Sequence, residues 1–235
     1  MSIYTIGDLH LSFAKPKPMD IFGNNWENHD EKIRQDWISK VNEGDTIIIP
    51  GDFSWATYIE DAYLDFKFLN ELPGKKILLK GNHDYWWTTI TSMKAFLEKN
   101  KFDTIDFLYN NAIEVEDKVI IGTRGWTFLE SENSSKMINR ENQRLEISIK
   151  SAIEKYGNKK EIIAFFHYPP LVNPVLLENK HLEFYKTLRT YGITRCYYGH
   201  LHGKSHADAV VGEVGGINFS LVSADYLNFK LLTIN

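Results

Sequence analysis

Six short apolar runs, each closed by glycine or a polar residue and separated by amphipathic stretches, are the strongest constraint on what this chain can fold into. The runs are SIYTIG, TIIIPG, KKILLKG, KVIIGT, EIIAFFH and TRCYYG. They are rich in β-branched and aromatic residues and too short for helices, so they read as strands. Between them, residues 28–42 place Ile33, Trp37 and Val41 on one face of a helix. Residues 57–71 do the same with Tyr58, Ala62, Phe66 and Leu69, and further helix-length stretches cover 86–99, 136–155 and 179–191. Strands alternating with helices imply βαβ units and a layered α/β sheet. After Gly203, glycine turns between β-rich runs predict a terminal strand meander, and the polar stretch 129–140 predicts an exposed loop or lid.

A chain of 235 residues fits one domain with a large core, and a hydrophobic fraction of 43% argues against disorder. The net charge of -4 offers no basic stripe of the kind that grips nucleic acid without regard to sequence. The start MSIYTIGDLH goes directly into strand-like sequence, with neither a basic leader nor a secretory run, and no apolar stretch is long enough to span a membrane. The single cysteine, Cys196, has no partner for a disulfide within the chain. A reducing cytosol is the compartment these features predict.

The positions of the chemically capable residues say more than their number. The first run ends in GDLH, with Asp8 and His10; the second in PGD, with Asp52; the third in KGNHD, with Asn82, His83 and Asp84. Later, AFFH ends in His167 and YYGHLH in His200 and His202. In open α/β sheets ligands bind outside the carboxyl ends of the strands, so residues spread from Asp8 to His202 converge in space. Gly7, Gly51, Gly81 and Gly199 stand at or just before them, where a missing Cβ lets loops crowd one point. Two imidazoles as close as His200 and His202 are poor core material, since each ring nitrogen needs a partner. Mixed oxygen and nitrogen donors suit Mn, Fe, Zn, Co or Ni better than an all-oxygen Ca or Mg cage.

The ordered set GDLH, GD, GNHD, H and GHLH resembles the calcineurin-like metallophosphoesterase superfamily, with motifs running from Asp8 to His202. The resemblance implies two stacked mixed β-sheets flanked by helices, with a two-metal centre at the strand ends. It implies that Asp8, His10 and His202 hold the first metal, that Asn82, His167 and His200 hold the second, and that Asp52 bridges both. His83 is then the acid beside the phosphate, oriented by Asp84. The implied activity is hydrolysis of a phosphomonoester or phosphodiester of a small molecule by a metal-bridging hydroxide, with manganese the first ion to try. Pyrophosphatase or nuclease activity, or a catalytically silent scaffold, are the alternatives; retention of His83 and every ligand speaks against the scaffold.

The sequence departs from the family after GD. Phe53, Ser54, Trp55 and Ala56 stand where many protein phosphatases of the superfamily carry a further acid and a phosphate-gripping arginine. Arg124, in GTRGWTF, either reaches the substrate phosphate in its place or is an exposed ion-pairing arginine. Trp55, Tyr85, Trp86, Trp87 and Trp126 follow the motif loops, where they either line a pocket or pack the edge of the core. His29, His181 and His206 fall outside the motif set and receive no role.

Overall fold

The computed structural model describes residues 1–127, 134–157, 159–171 and 182–234. Two mixed sheets carry the architecture. In the first, β1 (Ile3–Thr5), β2 (Thr46–Pro50), β3 (Lys75–Leu79) and β4 (Ile105–Phe107) run parallel. The C-terminal strand β11 (Leu232–Ile234) pairs antiparallel with β1, Ile3 opposite Ile234. In the second sheet β6 (Lys118–Thr123), β7 (Glu161–Phe166), β8 (Arg195–Tyr198) and β10 (Ile217–Leu221) are parallel. Its edges, β5 (Ile113–Val115) and β9 (Gly212–Val214), are antiparallel to their neighbours. Helices α1 (His29–Lys40), α2 (Tyr63–Glu71) and α3 (Ile90–Asn100) follow the strands of the first sheet, and α4 (Ser134–Tyr156) and α5 (Glu183–Thr190) those of the second.

Parallel strands covered on both faces need apolar residues at consecutive positions, and β2 is buried throughout its TIIIP run. Side chains alternate across a strand, so each run feeds two cores. Ile47 and Ile49 pack with Trp37 and Phe66 of the helices, whereas Ile48 faces the second sheet, in one cluster with Ile77, Ile163 and Phe165. Along β7, Ala164 and Phe166 pack with Leu145 and Phe184 of α4 and α5. The two sheets are thus stacked, with a helical layer outside each.

Several sequence expectations are corrected in detail. The helix expected over 57–71 begins only at Tyr63; Tyr58 is 67% exposed, while Ile59 and Ala62 keep the apolar period inside the preceding turns. The stretch expected over 86–99 starts at Ile90, where Thr89 caps the helix by accepting from the Ser92 N–H at 3.2 Å, and Trp86 and Trp87 belong to the core ahead of it. The expected loop over 129–140 is helix from Ser134 onward, because Ile138 continues the buried face of Leu145, Ile149 and Ala152; residues 129–133 lie outside the described residues. The last helix begins at Glu183, and 179–181 likewise lie outside them. The terminal strands do not form a meander. Gly215 and Gly216, both at positive φ, turn β9 into β10, but β10 lies parallel to β8 and β11 crosses to the other sheet. That crossing carries Ser223 and Ala224 over the top of β1, where the Ala224 N–H donates to the Gly7 carbonyl at 3.0 Å.

Candidate metal centre

The five motif loops leave the carboxyl ends of β1, β2, β3, β7 and β8 side by side. They are stitched by backbone bonds: the Asp8 N–H donates to the Gly51 carbonyl at 2.9 Å, His10 to Asp52 at 3.0 Å and Gly199 to His167 at 3.2 Å. Asp8, His10, Asp52 and His200 all sit at positive φ, between 47° and 75°. That region is costly for residues with a Cβ and persists where the surroundings hold it, characteristically at functional sites. The glycines make the crowding physically possible. A Cβ on Gly51 would lie 2.5 Å from His167 Nδ1 and 2.7 Å from the Gly81 Cα, one on Gly81 would fall on Asp52, and one on Gly199 on Asp8 Oδ2.

All seven ligand candidates converge. His10 Nε2 and His202 Nε2 are 3.3 Å apart, and His202 Nε2 is 3.4 Å from Asp8 Oδ1. Asp52 Oδ2 lies between the two halves of the site, 3.8 Å from His10 Nε2 and 3.6 Å from His167 Nε2. Asn82 Oδ1 stands 2.6 Å from His167 Nε2, and the His200 ring centroid is 5.1 Å from that of His167. Two sets, Asp8 with His10 and His202, and Asp8 with Asp52 and His167, bring their donor atoms within 4.8 Å of one another.

The donor chemistry calls for cations. Burial lowers the His167 ring to about 3, so it carries one proton at neutral pH. Yet its two nitrogens face two oxygens, the Pro50 carbonyl at 3.1 Å and Asn82 Oδ1 at 2.6 Å. One proton cannot serve both; if Nδ1–H donates to Pro50, the Nε2 lone pair is left facing an amide oxygen and a carboxylate, an arrangement that a cation between them relieves. Burial and the neighbouring imidazoles also keep His10 well below its ordinary value, and burial, then the adjacent His167 ring, lowers His200 to about 3. These neutral rings are ready ligands. Burial pushes the Asp52 carboxyl up, helped by the Asp84 and Asp8 charges, as expected where carboxylates are packed together without their counter-ions.

The calcineurin-like phosphoesterase family matches residues 1–204. The chain belongs to that family. Metal-dependent phosphoester hydrolysis is its class of chemistry, and its members typically use two divalent ions; the donor set here fits such a pair. Among solved structures, the fold is similar to phosphopantetheinyl hydrolase (PptH) from Mycobacterium tuberculosis, with a TM-score of 0.57, 12% identity and coverage of 99% of this chain and 95% of that one. It is similar also to the protein TT1561 of Thermus thermophilus, with a TM-score of 0.58, 14% identity and coverage of 99% and 97%. The Gene 66 protein of Mycobacterium phage L5 is 30% identical over 77 residues, 33% of this chain; the match spans 37% of that relative's length. Among the described residues no helix is long and apolar enough to cross a membrane.

Other residues of the chain take roles that sequence order does not reveal. Asp84 does not orient His83. Its buried carboxylate accepts the backbone N–H groups of Asp52, Phe53, Ser54 and Gly81 at 2.7–3.2 Å and the Trp86 indole N–H at 3.0 Å, so it pins the second motif loop to the third. His83 Nδ1 is buried without a hydrogen-bond partner; the ring rests on Trp55 at 4.2 Å, and its backbone N–H donates to Asp52 Oδ1 at 2.8 Å. Burial, then the Lys17 charge, lowers the His83 ring below its ordinary value. The positions after GD are structural: Phe53 is core, Ser54 donates to Asp65, and Trp55 stacks on His10 at 4.9 Å. Trp86 and Trp87 are core, Tyr85 is exposed, and Trp126 lies against the Arg124 guanidinium at 4.5 Å. His29 bonds the Trp26 and Leu9 carbonyls, and His181 lies outside the described residues.

Asp225 is the site residue that sequence reasoning missed. Its Oδ1 accepts from His202 Nδ1 at 2.8 Å and its Oδ2 from the Gly203 N–H at 2.9 Å, with His206 Nε2 3.2 Å away. Burial would lower His202, but Asp225 and Asp8 overturn that and hold it at about 10.

Proposed function

We propose that this phosphoesterase hydrolyses a phosphomonoester or phosphodiester of a small molecule, with His83 as the acid and manganese as the first ion to test. Asp8, His10 and His202 would hold one ion and Asn82, His167 and His200 the other, with Asp52 available to both. Two divalent ions supply an activated water near neutral pH and offset the charge on the phosphate. The observation that carries the reading is the meeting of all these donors at five strand ends, with acceptor atoms facing one another.

His83 is the proton carrier because it is the half-buried imidazole in this cluster left outside the ligand set. A phosphate beside the ring raises its pKa toward neutrality, and the departing alkoxide then takes the proton. Trp55 and the bond from the His83 N–H to Asp52 hold the ring in place. The acidic balance of the chain favours a small phosphorylated substrate over nucleic acid. The compartment we propose is the cytosol, where the buried free thiol of Cys196 needs no partner.

The test is hydrolysis of p-nitrophenyl phosphate and its bis-ester by the Mn-loaded protein. On an alkyl phosphate such as glycerol 3-phosphate, whose alkoxide leaving group needs a proton, His83→Ala lowers kcat by roughly 10²–10⁴ with metal content unchanged, and Asp52→Asn lowers both metal content and rate. No turnover on any of these esters with metal demonstrably bound would instead make the chain a silent scaffold.

A further inference from the structure

Beside the metal centre, between the ends of β3 and β6 and the N-terminal half of α4, lies a cavity of about 200 Å³ whose lining includes Lys80, Trp87, Arg124, Arg140, Glu141 and Arg144. Four cations meet a single carboxylate there, and that carboxylate is already engaged. Glu141, 1% exposed, accepts from Thr123 Oγ1 and from Arg144 Nη1, each at 2.7 Å, with Arg140 Nη2 at 3.6 Å. Among the described residues no ion pair reaches Lys80 or Arg124. Two further donors in the lining residues, Arg124 Nε and Trp87 Nε1, are buried without any hydrogen-bond partner. Buried donors left unpaired are costly and rare, and two of them in one basic cavity call for a ligand with several acceptor oxygens.

Two of the cavity's lining residues sit close along the chain or by a backbone bond to the Asn82, His167 and His200 half of the centre. Lys80 precedes Asn82 by two residues, no more than about 7 Å of chain. On the other wall the Arg124 carbonyl accepts from the N–H of Tyr168, the residue after His167, at 2.9 Å, and the Tyr168 ring lies 4.3 Å from that of His200.

We propose that the natural substrate carries a second phosphoryl group, a few bonds from the scissile one, which Arg124, Lys80 and Arg144 hold in this cavity. The substrate class is a compact bis-phosphorylated small molecule, such as a sugar bisphosphate or a nucleoside 3′,5′-bisphosphate. This deepens the hydrolase reading above and rests on it. The site also takes the part of the arginine that is absent after the second motif: charge that would otherwise grip the scissile phosphate is displaced to one side, where it selects for a further anion.

Two measurements test this. With Mn-loaded enzyme, kcat/KM is compared for glucose 1,6-bisphosphate against glucose 6-phosphate and for adenosine 3′,5′-bisphosphate against adenosine 5′-monophosphate. Wild type prefers the bisphosphate in at least one pair, and Arg124→Gln and Arg144→Gln each cut that preference by roughly 10-fold. No preference in wild type, or equal loss on both members of a pair, overturns the proposal. Separately, Zn-loaded protein is titrated with inorganic sulfate while the Trp87 indole N–H resonance, assigned with Trp87→Phe, is followed by NMR. The resonance shifts in wild type and not in Arg124→Gln. A protein that hydrolyses nothing but keeps the sulfate response would sink the hydrolase reading and leave the anion site standing, whereas a silent indole sinks the anion site whatever the turnover.

Discussion

Asp225 Oδ1 accepts the Nδ1–H of His202 at 2.8 Å, and that bond decides which nitrogen of the ring faces the centre. With Nδ1 committed, Nε2 is presented to Asp8 and His10. A carboxylate behind a metal-bound imidazole fixes its orientation and raises its basicity, and losing such a partner typically costs 10–100-fold in metal affinity. Asp225→Asn keeps an acceptor but loses the charge, so the intrinsic Mn affinity, corrected for proton release from a pH series, falls by about 10-fold, at the low end of that range. Metal titration by calorimetry reads this, with circular dichroism confirming the fold. Unchanged affinity would mean that His202 is not a ligand.

The meeting of the seven candidate residues was legible because every one of them stands at the end of an apolar run, and the end of a strand is a place that the sequence marks. Asp225 carries no such mark: it lies on the crossing from one sheet to the other, after the strands that supply ligands, and meets His202 only through the β10 to β11 path. Asp84 misled for the opposite reason. It is next to His83 in sequence, but neighbouring side chains in an extended loop diverge, and its oxygens turn to five N–H donors elsewhere. The basic cavity was hidden because the start of α4 is almost wholly polar. Only with Ile138 buried does the stretch become an amphipathic helix that sets Arg140 and Arg144 opposite Arg124.

Gly81→Ala tests whether the crowded loops build the centre. Its Cβ would fall on the Asp52 backbone and carboxylate, 2.8 Å from Cγ, and Asp52 cannot retreat because its N–H is bonded to Asp84 at 2.9 Å. The variant loses about 1–3 kcal/mol of stability by overpacking, together with most of its metal. Gly157→Ala is the control: nothing lies within 4 Å of its Cβ, so its cost is the positive φ of 70° alone, about 1 kcal/mol. Metal content by elemental analysis separates the two, and equal metal in both would refute the steric account.

Metal uptake should release protons. In the metal-free protein Asp225 and Asp8, working against burial, hold His202 at about 10, so the ring is charged at neutral pH, and the Asp52 carboxyl is raised by burial and its neighbours. Both must be deprotonated to ligate, whereas His10, His167 and His200 are already neutral. Affinity therefore rises with pH, and at pH 7 at least about one proton leaves per metal pair bound. Calorimetric Mn titrations in two buffers of different ionisation enthalpy measure it. Heats that do not depend on the buffer would contradict the charge placed on His202.

Lys76, on β3 and 0% exposed, donates from Nζ to Thr104 Oγ1 at 3.1 Å and to the Leu72 carbonyl, and burial lowers it to about 8, against the weaker pull of the Glu43 and Asp103 charges. Its unfolded value is about 10.4. Between those values the unfolded chain holds a proton that the folded one lacks, so unfolding free energy rises with pH across that window, and the penalty is complete below it. Lys76→Met removes the titration. Its stability relative to wild type therefore falls by roughly 3 kcal/mol between pH 7 and pH 10.5, read by urea unfolding of both proteins at each pH. A difference that stays flat over that range would place the Lys76 amine at its ordinary value and the burial argument in error.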